Sequence, residues 1–184
     1  MKNLYSVLLL IFTLFFLLSC GRDKWEGYEL YENDEYGFSI YYPEDWSFRE
    51  GFGKDSEQIT GSIVVFQSPS EGKMDFFREN VNIFIETLPD SVDNVDAYLQ
   101  YSKSFLPTQL ANMNIKEEGK QVINGVESRW IIFGYTSRLK DLASMGYIFY
   151  KDGVGFVINS TSLPDDFMKF RRTFEKISTS IKFN

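Results

Sequence analysis

Residues 144–161 read SMGYIFYKDGVGFVINST and decide the class of fold. Two runs rich in β-branched and aromatic residues, 144–151 and 153–161, flank Asp152-Gly153, a dipeptide typical of a type I′ hairpin turn. The stretch therefore predicts two antiparallel strands. The run Tyr147-Ile148-Phe149-Tyr150 carries no polar residue at alternate positions, so we expect this strand to be covered on both faces.

A second hairpin is predicted just before the first. Residues 115–123 and 126–137 flank Asn124-Gly125, which is another type I′ turn signal. Three further strands are predicted nearer the N-terminus, each followed by a proline: 36–42, 61–68 and 81–88. The hairpin signals indicate a mostly antiparallel sheet.

Two amphipathic helices are predicted to cover this sheet. The first begins at the N-cap Ser91, kinks or restarts at Pro107, and carries an apolar stripe made by Val95, Leu99, Leu106, Leu110 and Met113. The second begins after Pro164, with Arg171 facing solvent and an apolar face made by Phe167, Phe170, Phe174, Ile177 and Ile181. The predicted class is α+β: an α/β/α sandwich with a mostly antiparallel central sheet and helices on both faces.

The N-terminus is predicted to be a lipoprotein signal peptide, residues 1–19. Lys2 precedes a short apolar run, and Leu17-Leu18-Ser19-Cys20 resembles a bacterial lipobox. In that family the chain is cut before the cysteine, which carries diacylglycerol and is usually N-acylated, so Cys20 is the predicted lipid-attachment site. The alternatives are an ordinary signal peptide with an incidental cysteine, or an uncleaved anchor.

Residues 20–35 are predicted to be the lipidated cysteine and a charged tether, and residues 36–184 the folded domain. Three aromatic residues are unusual in a tether: Trp25, Tyr28 and Tyr31. They are expected either at the lipid headgroups or packed on the domain.

Composition excludes several classes of function. The 184 residues include one cysteine and no histidine, so Ser-His-Asp and Cys-His catalysis, histidine-bound metals and an intrachain disulfide are all impossible. A net charge of −7 disfavours binding to a phosphate backbone, so we expect no nucleic acid partner. No motif indicates a cofactor.

The segment 36–46 reads YGFSIYYPEDW, and three later landmarks follow it along the chain: 81–83, 123–126 and 174–183. In this order, the opening segment and the landmarks resemble those of PsbP-like domains of the Mog1/PsbP/DcrB-like fold. The resemblance covers about residues 36–183. It implies the same sandwich and a non-enzymatic binding module.

Several clusters were weighed as sites of chemistry. Asp90, Asp93, Asn94 and Asp96 carry oxygen ligands, but their order is not that of an EF-hand loop, so a helix start is favoured over calcium. Glu44-Asp45 and the acids at 32, 34 and 35 lack an apolar setting that would raise a pKa, which argues against a glycosidase pair. Three aromatic residues at strand spacing are expected in the core rather than on a ligand: Phe38, Tyr41 and Trp46.

Two predicted connections carry large apolar side chains among charges. The loop 69–79 contains Met74, Phe76 and Phe77, and the longer connection Ser137 to Ala143 has Leu139 and Leu142 at its tip. Such residues either fold back onto the core or face a partner. All five are candidates for a partner surface.

The sequence thus predicts a bacterial cell-envelope lipoprotein, anchored through Cys20, whose non-catalytic domain binds another envelope protein or a small ligand. The alternatives are a carboxylate-based hydrolase and a surface-exposed structural or host-contact lipoprotein. Gly21 after the cysteine gives no aspartate-type retention signal, which slightly favours the outer membrane where two membranes exist.

Overall fold

The computed structural model describes residues 23–52 and 60–184, and within them the chain forms ten strands and two helices. The strands are β1 (Tyr28–Asn33), β2 (Phe38–Pro43), β3 (Ser47–Phe52), β4 (Thr60–Gln67), β5 (Asn80–Thr87), β6 (Ala111–Ile123), β7 (Val126–Ser137), β8 (Lys140–Lys151), β9 (Val154–Ser162) and β10 (Lys182–Phe183). The helices are α1 (Val95–Gln109) and α2 (Phe167–Ser178). The predicted signal peptide and Cys20 lie outside the described residues.

The strands form two sheets, and every pairing between neighbours is antiparallel. The large sheet has seven strands in the order β3-β4-β5-β9-β8-β7-β6, and the small sheet has the order β1-β2-β10. The chain is therefore α+β with a mostly antiparallel sheet, as predicted. Within the described residues, neither helix has the length and apolar character that a membrane-spanning segment requires.

Neighbouring residues of the same strand belong to two different hydrophobic clusters. Phe149 of β8 packs in one cluster with Phe174 of α2. Ile148, the residue before it, packs in the other with Tyr98 and Leu99 of α1. The small sheet contributes to the first cluster Tyr31, Phe38, Ile40 and Tyr42. This double burial explains why the central strands lack polar alternation.

Two hairpin turns confirm the local signals in the sequence. Asn124 and Gly125 both have positive φ, at 47° and 86°, and join β6 to β7. Asp152 and Gly153, at 52° and 84°, join β8 to β9 in the same way. Positive φ at both central positions is the conformation that these residue types favour.

The predicted tether is too long. Residues 28–33 form β1, which pairs along its whole length with β2, and the Tyr31 side chain is buried. The Trp25 ring stacks on Tyr41, with centroids 4.2 Å apart. The ammonium group of Lys176 on α2 lies over the ring of Tyr28, 3.7 Å from its centroid. Aromatic area on this segment is thus packed on the domain rather than left beside the membrane.

Helix α1 begins later than predicted, since its N-cap is Asn94 rather than Ser91. The Asn94 side chain accepts a hydrogen bond from the backbone N–H of Ala97 at 2.9 Å. The helix continues through Pro107 and ends at Gln109. Leu110 is its C-cap and Met113 already belongs to β6, so the predicted stripe overruns the helix by one turn.

Helix α2 has most of the predicted apolar face, but it ends at Ser178, so Ile181 lies beyond the helix. Phe174 and Ile177 are buried, and Phe170 is partly buried against the same cluster. The prediction that Arg171 simply faces solvent is wrong. Its guanidinium donates to both carboxylate oxygens of Glu117 on β6, at 3.2 and 3.0 Å, and so ties the helix to the sheet.

Candidate functional site

The loop between β4 and β5 is shaped by its own side chains. The carboxylate of Asp75 accepts hydrogen bonds from the backbone N–H groups of Glu71, at 3.0 Å, and Phe77, at 3.2 Å. The Ser70 hydroxyl donates to the carbonyl of Gly72 at 3.1 Å. Donation from these backbone groups lowers the pKa of Asp75. The loop is therefore a folded feature that presents its apolar side chains in fixed positions.

The base of the loop holds a buried carboxylate that the sequence did not single out. Glu79 is only 4% exposed, and its carboxylate accepts a hydrogen bond from the Ser68 hydroxyl at 3.1 Å. Burial raises the pKa of Glu79, and the charges of Asp166 and Asp75 raise it further. The Arg78 guanidinium donates to the backbone carbonyl of Ser68 at 2.5 Å and closes the base of the loop.

Three of the five predicted surface residues are exposed. The exposed fractions are 78% for Met74, 72% for Phe76 and 99% for Leu139. Phe77 is half-buried. The prediction that Leu142 belongs to the exposed surface is wrong, because Leu142 is only 7% exposed and lies within β8, opposite Tyr135 of β7.

The predicted long connection between β7 and β8 is in fact a two-residue turn. Ser137 pairs with Lys140, and the residues between them, Arg138 and Leu139, have positive φ of 46° and 67°. This is the type I′ conformation. Arginine and leucine adopt it at a steric cost, because positive φ brings their Cβ atoms close to the backbone. A leucine that is both fully exposed and left-handed contributes little to folding, so its position calls for another explanation.

The turn and the loop meet at one groove. The ammonium group of Lys140 donates to the backbone carbonyl of Phe76 at 3.3 Å, which holds the start of β8 against the loop. The groove has a volume of about 730 Å³, and its lining comprises residues 71–77, Glu79, Lys140, Asp141, Leu163 and Asp166. Its rim is mostly acidic, and Glu71 forms an ion pair with Lys169 of α2.

The side chains of the candidate calcium cluster make structural contacts within the protein. The Asp96 carboxylate pairs with the Arg129 guanidinium through two contacts of 2.7 Å, which lowers the pKa of Asp96. Asp93 accepts a hydrogen bond from the Asn94 side chain. Among the described residues, no three acidic or cysteine side chains converge as a metal site would require.

The aromatic and acidic candidates near β2 lie partly in the core and partly at the surface. Phe38 and Trp46 are buried, and the Trp46 ring packs edge-on against Phe174 with centroids 6.5 Å apart. The Tyr41 ring stacks on the ring of Trp25. Glu44 and Asp45 are exposed at the turn after β2. The other acids considered as a glycosidase pair, Glu32, Asp34 and Glu35, line a pocket of about 320 Å³ together with Glu50.

Structural comparison identifies the fold. The chain is similar to cyanobacterial PsbP (CyanoP) from Synechocystis, with a TM-score of 0.61, 13% identity, and coverage of 90% of this chain and 98% of that chain. It is also similar to LpqN, involved in cell envelope biogenesis of Mycobacterium tuberculosis, with a TM-score of 0.58, 13% identity and coverage of 85% and 90%.

A protein of unknown function from Pseudomonas aeruginosa is similar as well, with a TM-score of 0.57, 13% identity and coverage of 83% and 94%. No family model and no curated protein matches the sequence. The fold is PsbP/Mog1-like, as the sequence resemblance implied, and identities this low establish the fold alone.

Proposed function

We propose that this protein is a bacterial envelope lipoprotein, anchored through Cys20, whose non-catalytic domain binds another envelope protein at the groove between the loop 69–79 and the β7–β8 turn. The observation that carries the proposal is the exposure of Met74, Phe76 and Leu139 on two segments joined by Lys140. Exposed apolar side chains on segments in contact with each other are typical of protein contact sites. Methionine adapts to a partner's shape and phenylalanine buries a large area on docking.

The charges that line the groove favour a partner with basic residues. The groove is lined by five carboxylates, those of Glu71, Asp75, Glu79, Asp141 and Asp166, against two lysines, Lys73 and Lys140. An acidic rim around apolar side chains favours a segment that presents lysine or arginine beside hydrophobic residues. LpqN, a similar structure, is involved in cell envelope biogenesis, which is compatible with an envelope role for this chain.

The partner surface is tested by crosslinking capture from native membranes that carry the full-length protein. A double Phe76→Ser, Leu139→Ser variant should lose capture of specific partners, while its melting temperature stays within about 2 °C of the original, because both side chains are exposed. Val122→Ser is the matched control, since Val122 is also exposed but lies on the β6–β7 hairpin. Unchanged capture by the double variant would refute this surface.

The anchor is tested separately. Cys20→Ala should release the protein from membranes or leave the precursor uncut, because Cys20 is the proposed lipid site and two or three acyl chains there would supply the stable anchor. Metabolic labelling with a fatty-acid analogue measures the modification directly. Label on the alanine variant would show that Cys20 is not the lipid site. The absence of an aspartate after Cys20 slightly favours the outer membrane, which fractionation of labelled cells checks.

We also propose that α1 and α2 cover opposite faces of the large sheet. Successive side chains of a strand point to opposite faces. Ile148 packs with α1 and Phe149 with α2. Nuclear Overhauser contacts from α1 to Phe149 instead of Ile148 would contradict this arrangement.

A second candidate function, a carboxylate-based hydrolase, is favoured by one observation. The groove contains Glu79, whose pKa is raised by burial, near Asp75, whose pKa is lowered. Opposite shifts of this kind separate an acid from a base in hydrolases. Against it, the Asp75 carboxylate is committed to backbone N–H groups of the loop. Glycoside hydrolysis that is lost in Glu79→Gln but kept in Phe76→Ser would establish this function in place of partner binding.

A further inference from the structure

A second cavity lies between α1 and the large sheet, away from the groove. It has a volume of about 300 Å³ and shares no lining residue with the groove. Its walls are mostly apolar and come from α1, its C-cap and four strands: Phe84, Glu86, Tyr101, Ser102, Phe105, Leu106, Leu110, Ile131, Phe133, Tyr135, Gly146, Ile148, Val157 and Asn159. Ligand pockets begin at about this volume.

The cavity exists because small residues occupy both of its walls. Gly146 of β8 stands in the sheet between Ile131 of β7 and Asn159 of β9, and it leaves the central position of that row without a side chain. On the helix, Ser102 lines the cavity from the other side. A Cβ built on Gly146 would make ordinary van der Waals contacts with Asn159, Ile131 and Phe133, at 3.7 to 3.9 Å, so a side chain can start there without a clash at its first atom.

Three polar side chains of the lining, Glu86, Ser102 and Asn159, already have partners within the protein. The Tyr98 hydroxyl donates to Glu86 at 2.5 Å, and the Ser102 hydroxyl donates to the Tyr98 carbonyl at 2.9 Å. The Asn159 amide donates to the Thr161 hydroxyl at 3.1 Å. A polar ligand would gain little from these groups and would lose its hydration on entry. The chemistry of the walls therefore favours hydrocarbon.

The cavity also has a route to solvent. Phe105 lines it and is 46% exposed, and its ring stacks on Tyr101 with centroids 5.9 Å apart. A ligand that passes this aromatic pair could leave a polar end in water while its apolar part is enclosed. Apolar cavities of only about 150 Å³ already stay dry and bind benzene-sized molecules.

We propose that this cavity binds a single hydrocarbon chain, the acyl or alkyl part of an amphiphile, with the polar end beside Phe105. The site goes beyond the proposed partner surface and does not depend on it. The hydrocarbon chain can come from a membrane phospholipid or from a free fatty acid, because the apolar walls contact only the hydrocarbon part that both molecules have.

The experiment is photocrosslinking in membranes that carry the full-length protein. Two probes are used in separate arms, a phosphatidylcholine and a palmitic acid, each with a diazirine in the hydrocarbon chain. Crosslinks should map to α1 and β8 peptides around the cavity, and the arm that labels identifies the source. Labelling that is absent from these peptides in both arms would overturn the proposal.

Cavity-filling variants give the specific control. Gly146→Leu fills the cavity from the sheet and Ser102→Leu fills it from the helix, so each should reduce crosslinking at these peptides at least tenfold. Gly134→Leu is the matched control, since Gly134 lies on β7, does not line the cavity, and would place its Cβ no closer than 3.6 Å to a neighbour. Melting temperatures identify any variant that fails to fold, and the two filling variants act from opposite walls. Equal labelling of a folded filling variant and the original protein would exclude this cavity as the site.

The test also separates the site from the partner surface. The double Phe76→Ser, Leu139→Ser variant should keep full crosslinking of the hydrocarbon probes, because neither residue lines the cavity. Loss of labelling in that variant would contradict an independent hydrocarbon site.

Discussion

Replacing Arg138-Leu139 with Asn-Gly should make the domain more stable. Both residues have positive φ, at 46° and 67°, in the two-residue turn between β7 and β8. Asn124-Gly125 adopts the same signs of φ in the β6–β7 turn of the same molecule. The substitution therefore gives the turn a sequence that the chain already uses elsewhere for this conformation.

The size of the effect follows from the backbone. A left-handed conformation costs an ordinary residue roughly 1–2 kcal/mol, which glycine avoids, while glycine loses about 0.5–1 kcal/mol through its greater freedom in the unfolded chain. Leu139 is 99% exposed, so its removal forfeits almost no packing. We expect a net gain in the free energy of unfolding of about 0.5–1.5 kcal/mol, which raises the melting temperature by roughly 1–6 °C for a domain of this size.

Urea and thermal melts of the full-length protein measure this gain, and crosslinking capture measures the consequence for binding. The variant should be more stable and yet bind its partner less well, because Leu139 is part of the proposed surface. A loss of stability would show that the turn is not strained, and the reasoning about Leu139 would fail. Higher stability with unchanged capture would keep the backbone argument but remove Leu139 from the partner surface.

Three further outcomes concern the core. Phe174→Ala should cost about 3–5 kcal/mol in urea melts, because the ring is fully buried, whereas the exposed Arg172→Ala on the same helix should change stability by no more than about 0.5 kcal/mol. Gly155→Ala should cost about 1–3 kcal/mol, since its Cβ would lie 2.7 Å from the ring of Tyr98, and a neutral result would mean that the ring can move aside. Burial raises the pKa of Tyr31 to about 12 in the folded protein, so its stabilising contribution is complete below about pH 10 and is lost as the pH rises toward 12. Tyr31→Phe should therefore lose less stability between pH 9 and pH 11 than the original protein, and equal losses would count against this assignment.

The sequence predicted best those features whose cause is local. Asn124-Gly125 and Asp152-Gly153 mark their turns because these residue types accept positive φ. Arg138-Leu139 carries no such signal, and its turn forms because β7 and β8 pair up to Ser137 and Lys140. Tertiary pairing therefore decides a turn that local chemistry disfavours.

The remaining misses arise from packing that a single sequence does not reveal. In β1 only Tyr31 is buried while its neighbour Leu30 is exposed, so the strand lacks a clear alternation of apolar residues. Phe76 and Phe77 are identical in type, and only the folded loop shows which one is exposed. Glu79 carries no motif, because its burial depends on the loop that closes over it.

The packing of Trp25 on the domain has a consequence for how far the protein can reach from a bilayer. Trp25 is five residues from Cys20, a span of at most about 18 Å, and it lies near the ammonium group of Lys176. Lys169, which pairs with Glu71 at the groove, is seven positions back along α2, or about 10 Å. With lipid on Cys20, the distance of the groove from the membrane surface is limited by these spans and by the lysine side chains that connect them. For a partner in the same membrane, the encounter is then a two-dimensional search, in which high local concentration compensates for modest affinity.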